Sequence, residues 1–397
     1  MEVRPGHPSR NLRILLIGRV LRAFGFGFAT VLLAIDLQGR GLSSTEIGVV
    51  LAVGLAAASL TGLLTVMVAS RLSRRATLAA IGALMSLCGL DLALAGPFWL
   101  LVLSGLTGMM GAASVDLGPF LAIEQAILTR AVPPTTRNRA FARYSLAGAL
   151  AGAAGGFAAG LGTTPLRVQG FFILFALLGL ITALTPLLLS DEVEHEAQGP
   201  IFGSFRPVMG LSALFSLDSL GNGLVVNSVL AYWLHIRFGA TPAVLGPSFA
   251  VMSLLGALSL EMSGRLADRI GLVNTMVFTH LPSNVLVMLV PFAPGLGWAL
   301  ALLFLRATVV QMDQPARQAY VVSIVRPSER GGALALTGAV RGVAQSFGPA
   351  VTGVAIHAAA LGLPFLLGGG LKLSYDLALY CGFRQRKGDH EAVGLGR

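Results

Sequence analysis

Charged residues are scarce in this chain. They make up 12% of its 397 residues, against 55% hydrophobic residues and a mean hydropathy of +0.78. A water-soluble protein of this size carries roughly a quarter of its residues as charges, so the shortage excludes an ordinary soluble domain. Cysteine is almost absent as well. Cys88 and Cys381 stand alone in or beside apolar runs, which gives neither a disulfide framework nor a metal spacing. No phosphate-cradling Walker sequence occurs, and the bare Gly25-x-Gly27 has no strand before it, so ATP is not the expected energy source. No Ser-His-Asp, Cys-His or metal-ligand spacing stands out. The expectation is therefore a non-enzyme with no cofactor and no metal.

What the chain has instead is long apolar runs. Leu12 to Ile35, Val49 to Ala69, Phe171 to Leu189, Leu272 to Phe292 and Leu363 to Phe383 each approach or exceed the roughly 20 residues a spanning helix needs. Barrel strands would be about 10 residues long and alternate in polarity. These runs do neither, and backbone inside lipid must satisfy its own hydrogen bonds. Met1 to Arg13 is basic, but the run after it is too long for a signal-peptide core. The reading is an all-α integral membrane protein. Its helices are expected near 12–35, 47–69, 76–96, 98–129, 140–163, 168–190, 207–236, 244–264, 272–293, 296–322, 333–360 and 363–383.

Lys and Arg set the orientation. Of the 28, 19 fall in segments on one side, 3 (Arg40, Arg167, Arg237) on the other, and six lie within helices. The rich side is expected to be cytoplasmic, with both termini there, in a cell (inner or plasma) membrane. The net charge of +10 is thus a topology signal, with anionic lipid as a partner it would suit, and nucleic acid is not an expected partner. One segment breaks the pattern. Asp191, Glu192, Glu194, His195 and Glu196 precede Gly199-Pro200 and read as a solvated linker. The expected organisation is a six-helix bundle over 1–190, a linker over 191–206, a second bundle over 207–383 and a tail over 384–397.

The halves repeat. Pro134-Thr135-Thr136-Arg137 and Pro327-Ser328-Glu329-Arg330 are 193 residues apart, and at that offset Gln125 meets Gln318, Gly155 meets Gly348 and Gly160 meets Gly353. Independently, Arg71-Leu72-Ser73-Arg74-Arg75 meets Arg265-Leu266-Ala267-Asp268-Arg269 at offset 194. Two regions agreeing within one residue indicate two parallel, pseudo-symmetric copies of one unit.

These features resemble the major facilitator superfamily. Its Gly-x-Leu-Ala-Asp-Arg-x-Gly motif is matched by Gly264-Arg265-Leu266-Ala267-Asp268-Arg269-Ile270-Gly271, expected in a loop, while the first-half copy has Ser70 and Arg74 at the Gly and Asp positions. The resemblance implies alternating access by a monomer. It also implies a lock in which Asp268 meets the start of the fifth helix near Arg139 and Arg143. The third, sixth, ninth and twelfth helices would be peripheral. An antiporter-type fifth helix is only half matched: Gly148, Gly152, Gly155, Gly156 and Gly160 are present, but the Gly-Pro pair, Gly348-Pro349, lies in the eleventh.

Ionisable groups within a membrane are costly and mark function or pairing. Asp218 and Asn222 share a face of the seventh helix, with Tyr232 roughly on the same side. Arg22, Asp116, Asp218, Asn222, Arg306 and Arg341 are the candidates for substrate binding or proton coupling. Glu124-Gln125 and Arg317-Gln318 are repeat-equivalent, so Glu124 and Arg317 are candidates for a gate across the halves, with Asp313 offering Arg317 a local partner instead. Pro315 is expected to kink that helix. Lys372 and Asp376 read as a structural ion pair, His280 and Asp91 as structural, and Arg19 as snorkelling to the interface. The glycines of the fifth helix form a small-xxx-small face for close contact. The functional expectation is a secondary transporter, first as an ion-coupled exporter of an amphipathic or toxic compound. Import of a polar or anionic metabolite and a non-transporting scaffold or receptor are the alternatives.

Overall fold

The computed structural model describes residues 7–68, 73–111, 120, 123–125, 127–128, 132, 137–194, 205–314, 317–318, 320 and 330–383. Among them the secondary structure is helical throughout. Helices α1 (His7–Gly39), α2 (Ser44–Val68), α3 (Arg74–Leu94), α4 (Phe98–Gly105), α5 (Arg137–Ala159) and α6 (Pro165–Leu184) form the first half. The second half holds α7 (Phe205–Gly223), α8 (Asn227–Phe238), α9 (Pro242–Ile270), α10 (Leu272–Leu289), α11 (Leu296–Ala307), α12 (Arg330–His357) and α13 (Leu363–Phe383). Seven stretches of the described chain are long and apolar enough to cross a membrane. Large apolar side chains such as Leu94, Trp99, Leu166, Phe292 and Trp298 are exposed, as lipid permits and water does not.

Local chemistry fixes the helix ends. Gly41 turns the chain at φ 89°, and Ser43 then caps α2 reciprocally with Glu46: Ser43 N–H donates to Glu46 Oε2 at 2.8 Å, and Glu46 N–H to Ser43 Oγ at 3.3 Å. Thr164 caps α6, with Pro165 at its first position. Gly239, at φ 65°, closes α8.

Within the first half, α1 packs on α5 and α3 on α6. Within the second, α7 packs on α12 and α13, and α10 on α13. The glycine face of α5 is what brings α1 close. A Cβ on Gly155 would lie 2.0 Å from Phe24 O, and one on Gly27 2.2 Å from Gly152 O. The halves meet through α2 with α12, α5 with α9 and α1 with α8. At the end carrying only Arg40, Arg167 and Arg237 (the arginine-poor end) backbones touch. A Cβ on Gly48 would sit 2.5 Å from Pro349 O, and one on Gly246 2.4 Å from Gly160 N. Ser44 Oγ and Tyr232 OH join across this end at 2.8 Å.

Three expected long helices are broken. The seventh stops at Gly223 and restarts at Asn227. Gly223 is pressed so closely on α12 that a Cβ there would lie 2.0 Å from Gln345 O, and Thr352 Oγ1 donates to the freed Leu224 O at 2.8 Å. Tyr232 therefore belongs to a separate helix from Asp218. The fourth ends at Gly105 and passes through positive-φ Gly108 and Gly111. The tenth ends at Ala307, before β-branched Thr308, Val309 and Val310. Interrupted helices recur in transporters where backbone lines a polar site. The expected loop at 265–270 is instead the last turns of α9, and only Gly271, at φ 85°, separates it from α10.

Candidate functional site

Each half buries one polar nest between its first and fourth spans. In the first half, Arg22 of α1 lies 2.5 Å from Glu124 Oε2, and Tyr144 OH of α5 donates to the same oxygen. The Arg22 guanidinium also stacks over Phe120, 4.0 Å from the ring centroid. Arg19 does not snorkel. It is buried over the Tyr144 ring, in the space that Gly148 leaves by lacking a Cβ.

The second nest is larger and centres on Asp218, which is 0% exposed in the last turns of α7 before the break. Its Oδ2 accepts from Arg317 Nη1 at 3.1 Å and from Asn222 Nδ2 at 3.2 Å, with Arg341 Nη2 of α12 at 3.9 Å. Arg317 is shared with Asp313 Oδ2 at 2.8 Å. The Arg341 side chain keeps 27% exposure, and among the described residues its hydrogen bond is from Nε to Ser219 Oγ at 3.0 Å. Arg306 Nε has no hydrogen-bond partner among the described residues.

Residues expected to be merely structural join this nest. Lys372 does not pair with Asp376. Its Nζ donates to Asn222 Oδ1 at 2.5 Å. Asp376 is held by His280 Nδ1 at 2.9 Å and Asn284 Nδ2 at 2.8 Å. His280 Nε2 faces Asp218 Oδ1 at 3.4 Å. The peripheral helices α10 and α13 thus feed polar groups inward. In the sequence the signal was present as His280 and Asn284 four apart, and as Lys372 and Asp376 four apart. Asp91, by contrast, lies apart from the nest and accepts from Ser104 Oγ at 2.6 Å.

The remaining expectations divide simply. Glu124 and Arg317 do not meet: each is engaged within its own half, and Arg317 takes Asp313 as its local partner. Gln125 and Gln318 are exposed. Asp116 and Pro315 lie outside the described residues, as do the side chains of Gly264, Arg265, Asp268 and Arg139. Arg269 is exposed at the end of α9. Asp36 pairs with Arg40 at 2.5 Å. Asp218, His280 and Asp313 place ligand-type atoms within 4.8 Å of one another. Arg317 already neutralises two of the three, so a cation there competes with a guanidinium.

Two helical bundles with interrupted spans and a buried charge nest inside each define a multi-pass membrane transporter fold. The sequence profile of the Major Facilitator Superfamily matches residues 15–349 and 211–394, and the chain belongs to that family. An uncharacterized membrane protein of Saccharomyces cerevisiae is 24% identical over 422 residues, covering 94% of each chain. Among solved structures, the nucleoside transporter NupG superposes with a TM-score of 0.75 at 16% identity, covering 95% of this chain and 100% of that one. The inward-open xylose transporter XylE from E. coli gives 0.75 at 14% identity, covering 98% and 100%. The human organic anion transporter MFSD10 gives 0.66 at 18% identity, covering 95% and 100%. At these identities the likeness is one of fold.

Proposed function

We propose that this protein is a secondary transporter for a small anionic or strongly polar solute, working by alternating access between the two halves. The observation that carries the substrate class is the cation set around Asp218. Arg306, Arg317, Arg341 and Lys372 stand against Asp218, Asp313 and Asp376, and the Arg341 side chain keeps 27% exposure. A partly free guanidinium recognises carboxylate or phosphate oxygens bidentately. An amphipathic or toxic compound with no anionic group, a form of the first expectation from sequence, would leave Arg341 without such a ligand. The nest sits beside the α7–α8 break, where an interrupted span gives the solute access to backbone groups. The 19-to-3 arginine and lysine split supports a cytoplasmic arginine-rich end with both termini inside. The contacts at the arginine-poor end then fit a conformation closed toward the outside.

Flux in proteoliposomes tests the reading. Radiolabelled monocarboxylates, dicarboxylates, sugar phosphates, nucleosides and a cationic amphiphile are offered under imposed pH gradients of both signs. The expected result is flux of an anion, with Arg341→Gln raising KM about tenfold, the loss of one charged hydrogen bond. Transport of the cationic amphiphile alone, unaffected by Arg341→Gln, overturns it. The sign of the gradient that drives flux gives the direction.

A further inference from the structure

His280 stands between two carboxylates. Its Nδ1 is 2.9 Å from Asp376 Oδ1, and its Nε2 is 3.4 Å from Asp218 Oδ1. Both acids are 0% exposed, and the ring itself is buried. A neutral imidazole has one N–H, so it can serve only one of them and turns a bare nitrogen toward the other. The imidazolium serves both.

The surroundings favour that second proton. Asp376 is touched by His280 and by Asn284 Nδ2, and among the described residues no Arg or Lys pairs with it. On Asp218, the cations and Asn222 gather at Oδ2, while Oδ1 accepts no hydrogen bond among the described residues and faces His280 Nε2 at 3.4 Å. An ionised carboxylate buried without a charged or hydrogen-bonded partner is costly. Other charged or titratable groups face the ring. Asp313 is within 4.8 Å, Tyr375 stacks edge-on with ring centroids 6.0 Å apart, and Lys372, Arg317, Arg341 and Arg306 act through Asp218. Arg317 is spent on Asp313 and Asp218 Oδ2, and Lys372 on Asn222, so neither supplies a donor to Asp218 Oδ1.

We propose that Asp218, His280 and Asp376 form a proton-binding site that holds one exchangeable proton on the His280 ring, on the side of the nest away from Arg341. The use of that proton in coupling rests on the transporter reading. The imidazole is the holder because it is the most basic of the three groups. When the proton leaves His280 Nε2 for water, the neutral ring keeps its Nδ1–H on Asp376. Asp218 Oδ1 then faces a bare nitrogen, and the carboxylate is held at Oδ2 alone, by Arg317, Asn222 and, at 3.9 Å, Arg341. An anionic solute that draws Arg341 away from Asp218 therefore favours the protonated site. By reciprocity the protonated site favours the solute. The coupling sense is proton and solute together.

Nitrogen-15 NMR of the full-length protein in nanodiscs tests the site without a substrate. The chain has six histidines. Replacing His7, His195, His235, His357 and His390 by Gln leaves His280 as the sole signal. If that variant does not fold, the difference between natural and His280→Gln spectra gives the same readout. The expected spectrum is an imidazolium with both nitrogens protonated, and Asp376→Asn lowers the ratio of imidazolium to neutral ring about tenfold at the same pH. A neutral ring with one bare nitrogen at every pH at which the protein stays folded overturns the proposal. An imidazolium in a protein that moves no solute would keep the site and sink the transporter reading instead.

Discussion

Arg317 Nη1 lies 3.1 Å from Asp218 Oδ2, joining the first and fourth spans of the second half, and the same pair of spans in the first half carries the reverse charges as Arg22 and Glu124. An aromatic ring flanks each guanidinium, Phe215 for Arg317 and Phe120 for Arg22. The repeat therefore keeps an ion pair while inverting its polarity. In the second half a further cation, Arg341, enters from α12 at the position 193 residues after Gly148. In the first half Arg19 enters from α1 and fills the gap at Gly148. In the second half two guanidinia thus approach one carboxylate, whereas in the first Arg22 pairs with Glu124 and Arg19 lies over the Tyr144 ring; of these arginines the Arg341 side chain keeps 27% exposure.

Breaking the Arg317 pair should be expensive. Removing one partner of a buried pair leaves an uncompensated charge and costs about 3–5 kcal/mol. Arg317→Gln strands both Asp218 and Asp313, so thermal unfolding in detergent should show a loss of that order. Asp218→Asn added to it should recover part of the loss, a coupling of about 0.5–3 kcal/mol. Strict additivity of the two changes would show that the pair carries no such energy.

Glu194, which follows the last helix of the first half, offers a pH-dependent contact. Glu194 caps the start of α3: Ser73 Oγ donates to it at 2.7 Å, Arg74 N–H at 2.7 Å and Arg75 N–H at 3.2 Å. Arg74 occupies the place where the second-half motif has Asp268, so the linker brings a carboxylate to the repeat copy that lacks one. Partial burial works against ionisation of Glu194, but the Ser73, Arg74 and Arg75 hydrogen bonds and the Arg75 charge outweigh it and hold its carboxyl below the ordinary range. A depressed folded-state value means that the stabilisation is present at neutral pH and is lost as pH falls below about 4. Glu194→Gln should cost about 1 kcal/mol or less at pH 7, given solvent screening, and nothing at pH 3. Hydrogen exchange of the first turn of α3 at the two pH values reads this difference. Equal protection in both proteins at pH 7 counts against the cap.

Much of the architecture was legible because lipid imposes simple rules. Long apolar runs gave the helices, and the 193–194 offset gave two units. The breaks at Gly223, Gly105 and Ala307 were not legible, because hydropathy does not register where one backbone presses on another, as Gln345 O does on Gly223. Asp218 and Asn222 stood out as polar residues four apart on a central helix. His280, Lys372 and Asp376 were assigned to structure because their helices are peripheral in the fold. Long side chains cross that boundary: Lys372 reaches from α13 to Asn222 on α7, and His280 from α10 to Asp218. Glu124 and Arg317 were matched by symmetry, but each found a nearer partner of opposite charge in its own half.

Contact between the halves at the arginine-poor end depends on small residues. A Cβ on Gly48 would lie 2.5 Å from Pro349 O and 3.0 Å from Gly353 Cα, both backbone atoms that cannot swing aside. Gly48→Leu should wedge α2 from α12 and disfavour this conformation. Spin labels on α2 and α12 near that end should report a longer distance in the variant by double electron–electron resonance. An unchanged distance distribution would mean that the two helices do not approach as described.

The opposite end supplies the complementary measurement. In this conformation Glu124 and Arg317 are occupied within their halves, so a cross-half contact there requires a different state. Their neighbours Gln125 and Gln318 are repeat-equivalent and exposed, which makes them better reporters than the buried charges. Charge reversal at Glu124 would place two cations beside each other at Arg22, which confounds any rescue. In a Cys381→Ser background, Gln125→Cys with Gln318→Cys should therefore cross-link poorly with a short bifunctional maleimide. Gly48→Leu, by opening the arginine-poor end, should raise the yield several-fold as the arginine-rich end closes. Cross-linking that rises in this way couples the two ends as alternating access requires. A yield indifferent to Gly48→Leu would leave the two ends uncoupled and remove the mechanical basis for transport.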